Sequence, residues 1–387
     1  MERITVYLTN LTHINNNIPA TESMPLNIGY LAAYANKVFG DQIEIKLFSL
    51  HTDLNDAIKK RKPQILGVSN YSWNSNLSYY YLSYYKKKYP DIITVMGGPS
   101  FPYKSELRKN FFKKRKLLDF YISGEGEIAF CAFLQACLKH DMDVDKIKAE
   151  RVVGCHYLLQ NKLISCTLPD RIKDMDIIPS PYLRGFLNKF IDKGLVPILQ
   201  SNRGCPFSCS YCCSSAIYYN KMTFFSIARV KEEIEYIAKR VKNPSIYIHD
   251  DNFGMFKQDY KICRKFKETQ EKYSWPSYIC ASTGKNVKKR IMKCVELIGS
   301  CLVLSLSFQS TDEEVLKNIN RENIRSSYFW DVQQQFKELG ITSSSELILP
   351  LPGETLKSHL EGLRTVMSCG IDTICPYTTM LLPGSPL

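Results

Sequence analysis

Twelve residues constrain this chain more than any others: Arg203-Gly204-Cys205-Pro206-Phe207-Ser208-Cys209-Ser210-Tyr211-Cys212-Cys213-Ser214. Three of the cysteines are spaced C-x-x-x-C-x-x-C, directly after an apolar run, Val196 to Gln200, that reads as a strand. A four-iron cluster normally takes four thiolates. Three ligands on one short loop leave one iron without a protein ligand, and metal sites do chemistry when they keep such a position open. Cys213 adjoins Cys212 and cannot bend back to the same cluster without strain. A zinc site with a distant fourth ligand is the competing reading, because fourteen cysteines in 387 residues make chance clusters easier. A zinc ribbon would carry a second C-x-x-C pair, and the sequence has none. The loop therefore predicts a catalytic cluster on Cys205, Cys209 and Cys212.

The length suggests about two to three domains. The N-terminus has no charged-then-apolar leader, and no run of about 18 apolar residues occurs. A cytoplasmic protein with reduced cysteines is expected, which favours metal ligation over disulfides. The net charge of +13 raises the question of nucleic acid. Much of it lies in Lys86-Lys87-Lys88 and between Lys104 and Lys116. Both stretches fall on predicted helices between strands, where a solvated face is the ordinary outcome, so a nucleic-acid partner is not expected. Anionic small molecules would be attracted too.

Residues 1–140 alternate strand and helix patterns. Strands are predicted at Ile4–Thr9, Ile43–Leu50, Ile65–Ser69, Ile92–Met96 and Phe120–Ser123, with helices at 26–39, 53–61, 76–88 and 128–139 and a basic one between. Such a rhythm implies a parallel sheet covered on both faces, a flavodoxin-like doubly wound domain. Ligands of these sheets bind beyond the carboxyl ends of the strands. Polar or glycine-rich breaks fall there: Thr9-Asn10, Ser69-Asn70-Tyr71, Gly97-Gly98-Pro99 and Gly124-Glu125-Gly126-Glu127. Each alone is an ordinary turn; four at one sheet edge predict a bound cofactor. Residues 141–195 read as a linker with a small β hairpin. From Val196 the rhythm resumes with six strands, at Val196–Gln200, Ser245–His249, Ser277–Ala281, Cys301–Ser307, Thr342–Leu349 and Asp372–Thr379. Six βα units fit a (β/α)6 partial TIM barrel with the cysteine loop on its functional rim.

With these residues in view, the Cys205/Cys209/Cys212 loop, Tyr211 included, resembles the signature of the radical S-adenosylmethionine superfamily. Further stretches fall where that family expects them: His249-Asp250-Asp251-Asn252-Phe253-Gly254, Ser305-Leu306-Ser307-Phe308-Gln309-Ser310, Val315 to Arg321, Leu349 to Thr355, and Leu382-Pro383-Gly384-Ser385. The N-terminal domain resembles the cobalamin-binding domain fused to one branch of it, through Pro25 to Leu31, Val68 to Tyr71, Gly97-Gly98-Pro99 and Gly124 to Glu127. The Asp-x-His-x-x-Gly motif that supplies a histidine to cobalt elsewhere is missing; His13 and His51 lack its neighbours. Cobalamin is thus expected without a histidine on its lower face.

The resemblance implies a 4Fe-4S cluster that passes one electron to S-adenosylmethionine, giving methionine and a 5′-deoxyadenosyl radical. It places Tyr211 near the adenine, Asp250 and Asp251 near the methionine amino group, and Ser305 and Gln309 near the ribose. Arg321 would pair with the methionine carboxylate, and Pro352-Gly353 would let backbone approach the adenine. Ser69, Tyr71, Gly97, Gly98, Gly124, Glu125 and Gly126 would contact cobalamin. For Asp250-Asp251, helix capping is the plainer alternative; for Arg321, a surface ion pair. The other cysteines from Cys213 onward are expected as small buried hydrophobes. Methylation of an unactivated carbon is the leading expectation, on a small-molecule or peptide substrate with a reducing partner such as flavodoxin or ferredoxin. Cyclisation or rearrangement, and a non-catalytic cobalamin-binding regulator, are the alternatives. A methylthiotransferase-like RNA-modifying enzyme would need cysteines for a second cluster in residues 1–130, which hold none. The sequence stops just after its sixth strand, so the C-terminal segment that shapes the pocket in the family is expected to be missing, in a fragment or a short enzyme.

Overall fold

A computed structural model describes residues 3–15, 18–19, 22–215, 217–283, 289–305, 307–323 and 326–387. It contains two compact units, Met1–Phe190 and Ile191–Leu387.

In the first unit the parallel strands are β1 (Ile4–Thr9), β2 (Ile43–Phe48), β3 (Ile65–Ser69), β4 (Ile93–Gly97) and β5 (Phe120–Ile122). Every residue of β1 and β3 is buried, as a strand covered by helices on both faces requires. Helices α1 (Leu26–Phe39), α2 (His51–Lys60), α3 (Ser75–Lys88), α4 (Ser105–Lys113) and α5 (Gly126–Lys139) make the crossovers. The order β2-β1-β3-β4-β5 is that of the flavodoxin-like sheet. The expected hairpin is present as β6 (Cys155–Leu159) and β7 (Lys162–Ser165). It does not stand apart as a connector. β6 pairs antiparallel with β5, placing Tyr121 opposite His156, so the sheet has seven strands and a mixed edge. Glu125 fastens the chain that follows: Arg171 lies 3.0 Å from Oε1, and the Ile172 N–H donates to Oε2 at 2.8 Å.

The second unit contains β8 (Ile198–Leu199), β9 (Ser245–Phe253), β10 (Tyr278–Thr283), β11 (Leu302–Ser305), β12 (Ser344–Leu349) and β13 (Thr373–Thr378). They lie in sequential order and every pairing is parallel. The intervening helices are α6 (Ile227–Ala238), α7 (Lys257–Tyr273), α8 (Lys289–Ile298), α9 (Glu313–Asn318), α10 (Ser326–Glu338) and α11 (Leu356–Ser368). Crossovers of one hand in a sequentially ordered sheet put all helices on the same face, the arrangement of a barrel wall. Burial alternates accordingly. Ile246, Ile248, Ile279 and Ala281 are buried, whereas Tyr247, His249, Asp251, Tyr278, Cys280 and Ser282 on the other face are accessible.

Candidate active site at the strand ends

The cysteine loop leaves β8 through Ser201 and is closed by a short antiparallel pairing of Asn202–Arg203 with Thr223–Phe224. Gly204 has φ +104°, and a Cβ there would stand 2.6 Å from the carbonyl oxygens of Tyr219 and Lys221, so no other residue fits. The Cys205 N–H donates to Tyr219 O at 3.0 Å, Ser210 N–H to Ile319 O at 3.0 Å, and Cys212 N–H to Cys209 O at 3.1 Å. These bonds fix the loop through its backbone rather than through its thiols. Cys209 is buried; Cys205 and Cys212 are half-buried. Burial pushes the Cys205 thiol up and that of Cys212 to about 11, and the Asp251 carboxylate adds to both. Asn252 Nδ2 donates to Cys205 Sγ at 3.3 Å, favouring the thiolate.

Among the described residues, no three His, Cys, Asp or Glu side chains converge on a single metal ion. A four-iron cluster asks for something else: each thiolate takes a different iron. Sulfur donors on a backbone-fixed loop, one of them receiving an amide N–H, fit that group; hydrogen bonds to the sulfurs tune such clusters. Cys213 faces elsewhere and receives the Gly384 N–H. With Cys280, Cys301 and Cys375 it is half-buried rather than buried, while Cys263, Cys294 and Cys369 are buried as expected.

Tyr211 packs against the cluster of Val315, Ile319 and Leu351, which joins the loop to α9 and to the turn after β12. Burial raises its phenol, and the Arg321 guanidinium opposes that shift. Arg321 is 9% exposed and spends its fork inside the protein. Nη1 donates to Tyr211 Oη at 2.8 Å, Nε to Asn323 Oδ1 at 2.8 Å, and Nη2 to the Ser307 carbonyl. It makes neither a surface ion pair nor a free carboxylate clamp here; it holds Tyr211 in place, with one further N–H on each terminal nitrogen. Gln309 sits at φ +65° and bridges to Leu347. Its Nε2 lies 3.4 Å from Glu346 Oε2, and its buried Oε1 has no hydrogen-bond partner among the described residues. A buried carbonyl oxygen without a donor marks a place for a ligand N–H or O–H. Ser305 ends β11, and its side chain, like Leu306, lies outside the described residues. Pro352-Gly353 forms a turn with φ +85° at the glycine, pinned by Asn318 Nδ2 donating to Pro352 O at 3.1 Å.

The two aspartates part company. Asp250 does not present its carboxyl to the thiols; it is buried on the helix side of β9. Its Oδ1 accepts from the Ser201 N–H at 2.7 Å and the Asn202 N–H at 3.2 Å, while Oδ2 accepts from Ser201 Oγ. Strand alternation is the cause, since neighbouring residues point to opposite faces. The role is neither a ligand contact nor a helix cap. Asp251 is on the accessible face, recessed beside Cys205 and Cys212. Burial in that recess raises its carboxyl, and a hydrogen bond from Ser214 opposes the shift.

In the first unit the four breaks do gather at one sheet edge. Ser69 Oγ donates to Asn10 Oδ1 at 2.6 Å and accepts from Asn74 Nδ2 at 2.9 Å. Asn70 Nδ2 donates to Ser100 O at 2.6 Å and Tyr121 Oη at 3.0 Å, and Tyr121 in turn donates to Gly98 O at 2.7 Å. Tyr71 stacks on the exposed Trp73 with ring centroids 4.5 Å apart. Gly98 has φ +138°, and a Cβ would meet Asn70 O at 2.6 Å. Gly97 continues β4, Gly124 turns at φ +80°, and Gly126 opens α5. The buried Thr9 Oγ1 and Asn70 Oδ1 have no hydrogen-bond partner among the described residues, so the edge still offers acceptors to a polar ligand. Glu125 departs from expectation, its carboxylate being committed to Arg171 and Ile172. His13 is exposed, and His51 stacks on Tyr81 with centroids 5.1 Å apart. Gly98→Val is expected to cost cobalamin uptake at least about tenfold while leaving iron content unchanged, because clash and positive φ both act within the first unit; paired absorbance and iron assays check this.

Residues 14–134 match the model of the B12 binding domain, and residues 199–366 that of the radical SAM superfamily. The chain carries a B12-binding domain followed by a radical SAM domain. It is 28% identical over 380 residues to the cobalamin-dependent radical SAM methyltransferase TokK of Streptomyces tokunonensis, covering 94% of this chain and 54% of that one. A 2-(S-pantetheinyl)-carbapenam-3-carboxylate methyltransferase of Streptantibioticus cattleyicolor is also 28% identical, over 95% of this chain and 55% of its own length. The chain thus spans about half the length of these curated relatives. The solved radical S-adenosylmethionine methyltransferase TsrM of Kitasatospora setae superposes with a TM-score of 0.75 at 14% identity, covering 100% of this chain and 75% of that one, and supports the fold.

Sequence reasoning missed several residues of the radical SAM domain. Asn252, beside Cys205, was readable only as a strand-end polar residue. Glu346 was the better signal: the one charged residue in the β12 stretch Ser344–Leu349, which accepts from Ser307 Oγ at 2.7 Å on the accessible face. Among the described residues, no helix is long and apolar enough to cross a membrane.

Proposed function

We propose that this protein is a cobalamin-dependent radical SAM methyltransferase that acts on an unactivated carbon of a small-molecule substrate, in the cytoplasm and with a reducing partner. The observation that carries the reading is the three-thiol loop fixed by its backbone beside Asp251, on the accessible face of a partial barrel, in a chain that also carries a B12-binding domain. When bound, the cluster supplies one electron that cleaves S-adenosylmethionine to methionine and a deoxyadenosyl radical, and methylcobalamin supplies the methyl group.

Cys205, Cys209 and Cys212 would hold the cluster, with Asn252 orienting the first of them. Asp251 stands where a carboxylate can accept from an ammonium group. Gln309 Oε1 can accept a hydroxyl hydrogen, and Tyr211, locked by Arg321, gives a flat wall beside the Leu351-Pro352-Gly353 turn. In the first unit, Ser69, Tyr71, Gly97, Gly98, Gly124 and Gly126 would line the cobalamin edge, with no histidine reaching cobalt.

The test is reconstitution with cluster and cobalamin, followed by methyl-labelled S-adenosylmethionine and cell extract, read by mass spectrometry. The expected result is a labelled product one methyl group heavier than its precursor, together with deoxyadenosine. A product of unchanged carbon count would redirect the reading to cyclisation. The cobalamin spectrum should lack histidine coordination, and protein that stays colourless after cobalamin treatment would reject the role of the first unit.

A further inference from the structure

Between the first turn of α7 and the length of α8 lies an open cleft of about 700 Å³ lined by Lys257, Tyr260, Lys289, Arg290, Lys293 and Glu296 among others. Four cations face one carboxylate. Lys257, Lys289 and Lys293 are exposed. Among the described residues, the ion pairs of α7 are made farther along the helix, by Lys265 and Lys272.

The cleft is linked to the cluster loop by a short hydrogen-bonded path. Arg290 Nη1 donates to the Met255 carbonyl. The Met255 N–H donates to Asn252 O at 3.3 Å, and Asn252 Nδ2 donates to Cys205 Sγ at 3.3 Å. A positive surface thus stands a few residues behind a cluster ligand, on the helix layer and away from the accessible face that would hold S-adenosylmethionine.

We propose that this cleft is the docking surface for a small acidic one-electron carrier protein. The inference rests on the radical SAM reading above. In the transfer the carrier is oxidised by one electron and the cluster is reduced by one, with no bond made and no proton moved at the surface. A phosphate-bearing small molecule fits less well. The start of α7 already holds a negative group, the Asp259 carboxylate that accepts from the Phe256 N–H at 2.8 Å, which disfavours a second compact anion there. Three exposed lysines around an open cleft suit an extended acidic face, where such charges steer encounter and set orientation.

The experiment measures binding of a flavodoxin to the full chain without its cluster, by fluorescence titration at low and moderate salt. Lys257→Glu, Lys289→Glu and Lys293→Glu together should weaken binding at least about tenfold and flatten its salt dependence. A charge-matched control in the first unit, Lys113→Glu, Lys114→Glu and Lys116→Glu, should bind as the parent does. On reconstituted protein, deoxyadenosine formation driven by reduced flavodoxin should fall about as far as binding does, while formation driven by dithionite stays unchanged. Unchanged binding in the cleft variant, or equal weakening in the control, would overturn the proposal. Absence of deoxyadenosine from the parent with dithionite would defeat the radical reading instead, and the binding result would still decide the surface.

Discussion

Cys209→Ala should abolish both the cluster and deoxyadenosine formation. Anaerobically reconstituted parent protein should carry about four irons per chain, and the variant close to none. Three thiolates are the minimum from this loop, and no neighbour can replace the lost one: Cys213 faces the Gly384 N–H. The loop itself should survive, because Cys205, Ser210 and Cys212 hold it through backbone N–H groups that the substitution leaves intact. Removing one buried sulfur costs the fold about 1 kcal/mol, within what a domain tolerates. Cobalamin uptake by the first unit should be unaffected, which separates loss of the site from loss of the protein. An intact cluster in this variant would sink the assignment of the loop.

The strand and helix rhythm was legible in both halves because each parallel strand is a short apolar run between glycine or polar breaks. β1 and β3 were read to the residue, and strand ends elsewhere shifted by a few positions. The cysteine spacing was legible because it is local. What stayed hidden was pairing across sequence distance. The hairpin at β6 and β7 was visible as a hairpin, but nothing in it says that its partner is β5. The same limit applies to side-chain direction. Asp250 and Asp251 are adjacent carboxylates at a strand end, and only the pleat decides that one faces Ser201 and the other the thiols. Glu125 is a similar case: a charged residue in a glycine-rich stretch, its carboxylate lies 3.0 Å from Arg171, whereas Arg321 donates to Tyr211 at 2.8 Å and keeps an N–H on each terminal nitrogen.

Asp250 carries the second large effect. Its carboxyl gathers three donors at the point where β8 becomes the cysteine loop: the Ser201 N–H, the Ser201 hydroxyl and the Asn202 N–H. Asp250→Ala strands all three in a buried setting, at about 1–3 kcal/mol each before relaxation. A loss of about 3–5 kcal/mol is expected, a large share of a typical domain's stability, and cluster uptake should fall with it because Ser201 and Asn202 launch the loop. Asp250→Asn should cost far less. Its amide oxygen can keep both backbone N–H groups, so only the contact with the Ser201 hydroxyl is disturbed. The two variants also differ from the parent in their pH response. Burial raises the Asp250 carboxyl to about 7, against the three donors that favour its charged form. The folded protein therefore holds this proton more tightly than the unfolded chain, whose Asp titrates near 4 (about 3.9). The stability it contributes is fully present below about pH 4 and is lost as pH rises towards 7. Thermal unfolding of the second unit should thus ease between about pH 4 and pH 7 in the parent more than in Asp250→Asn, which cannot titrate. Equal slopes in the two proteins would show that Asp250 stays ionised throughout, its three donors outweighing burial.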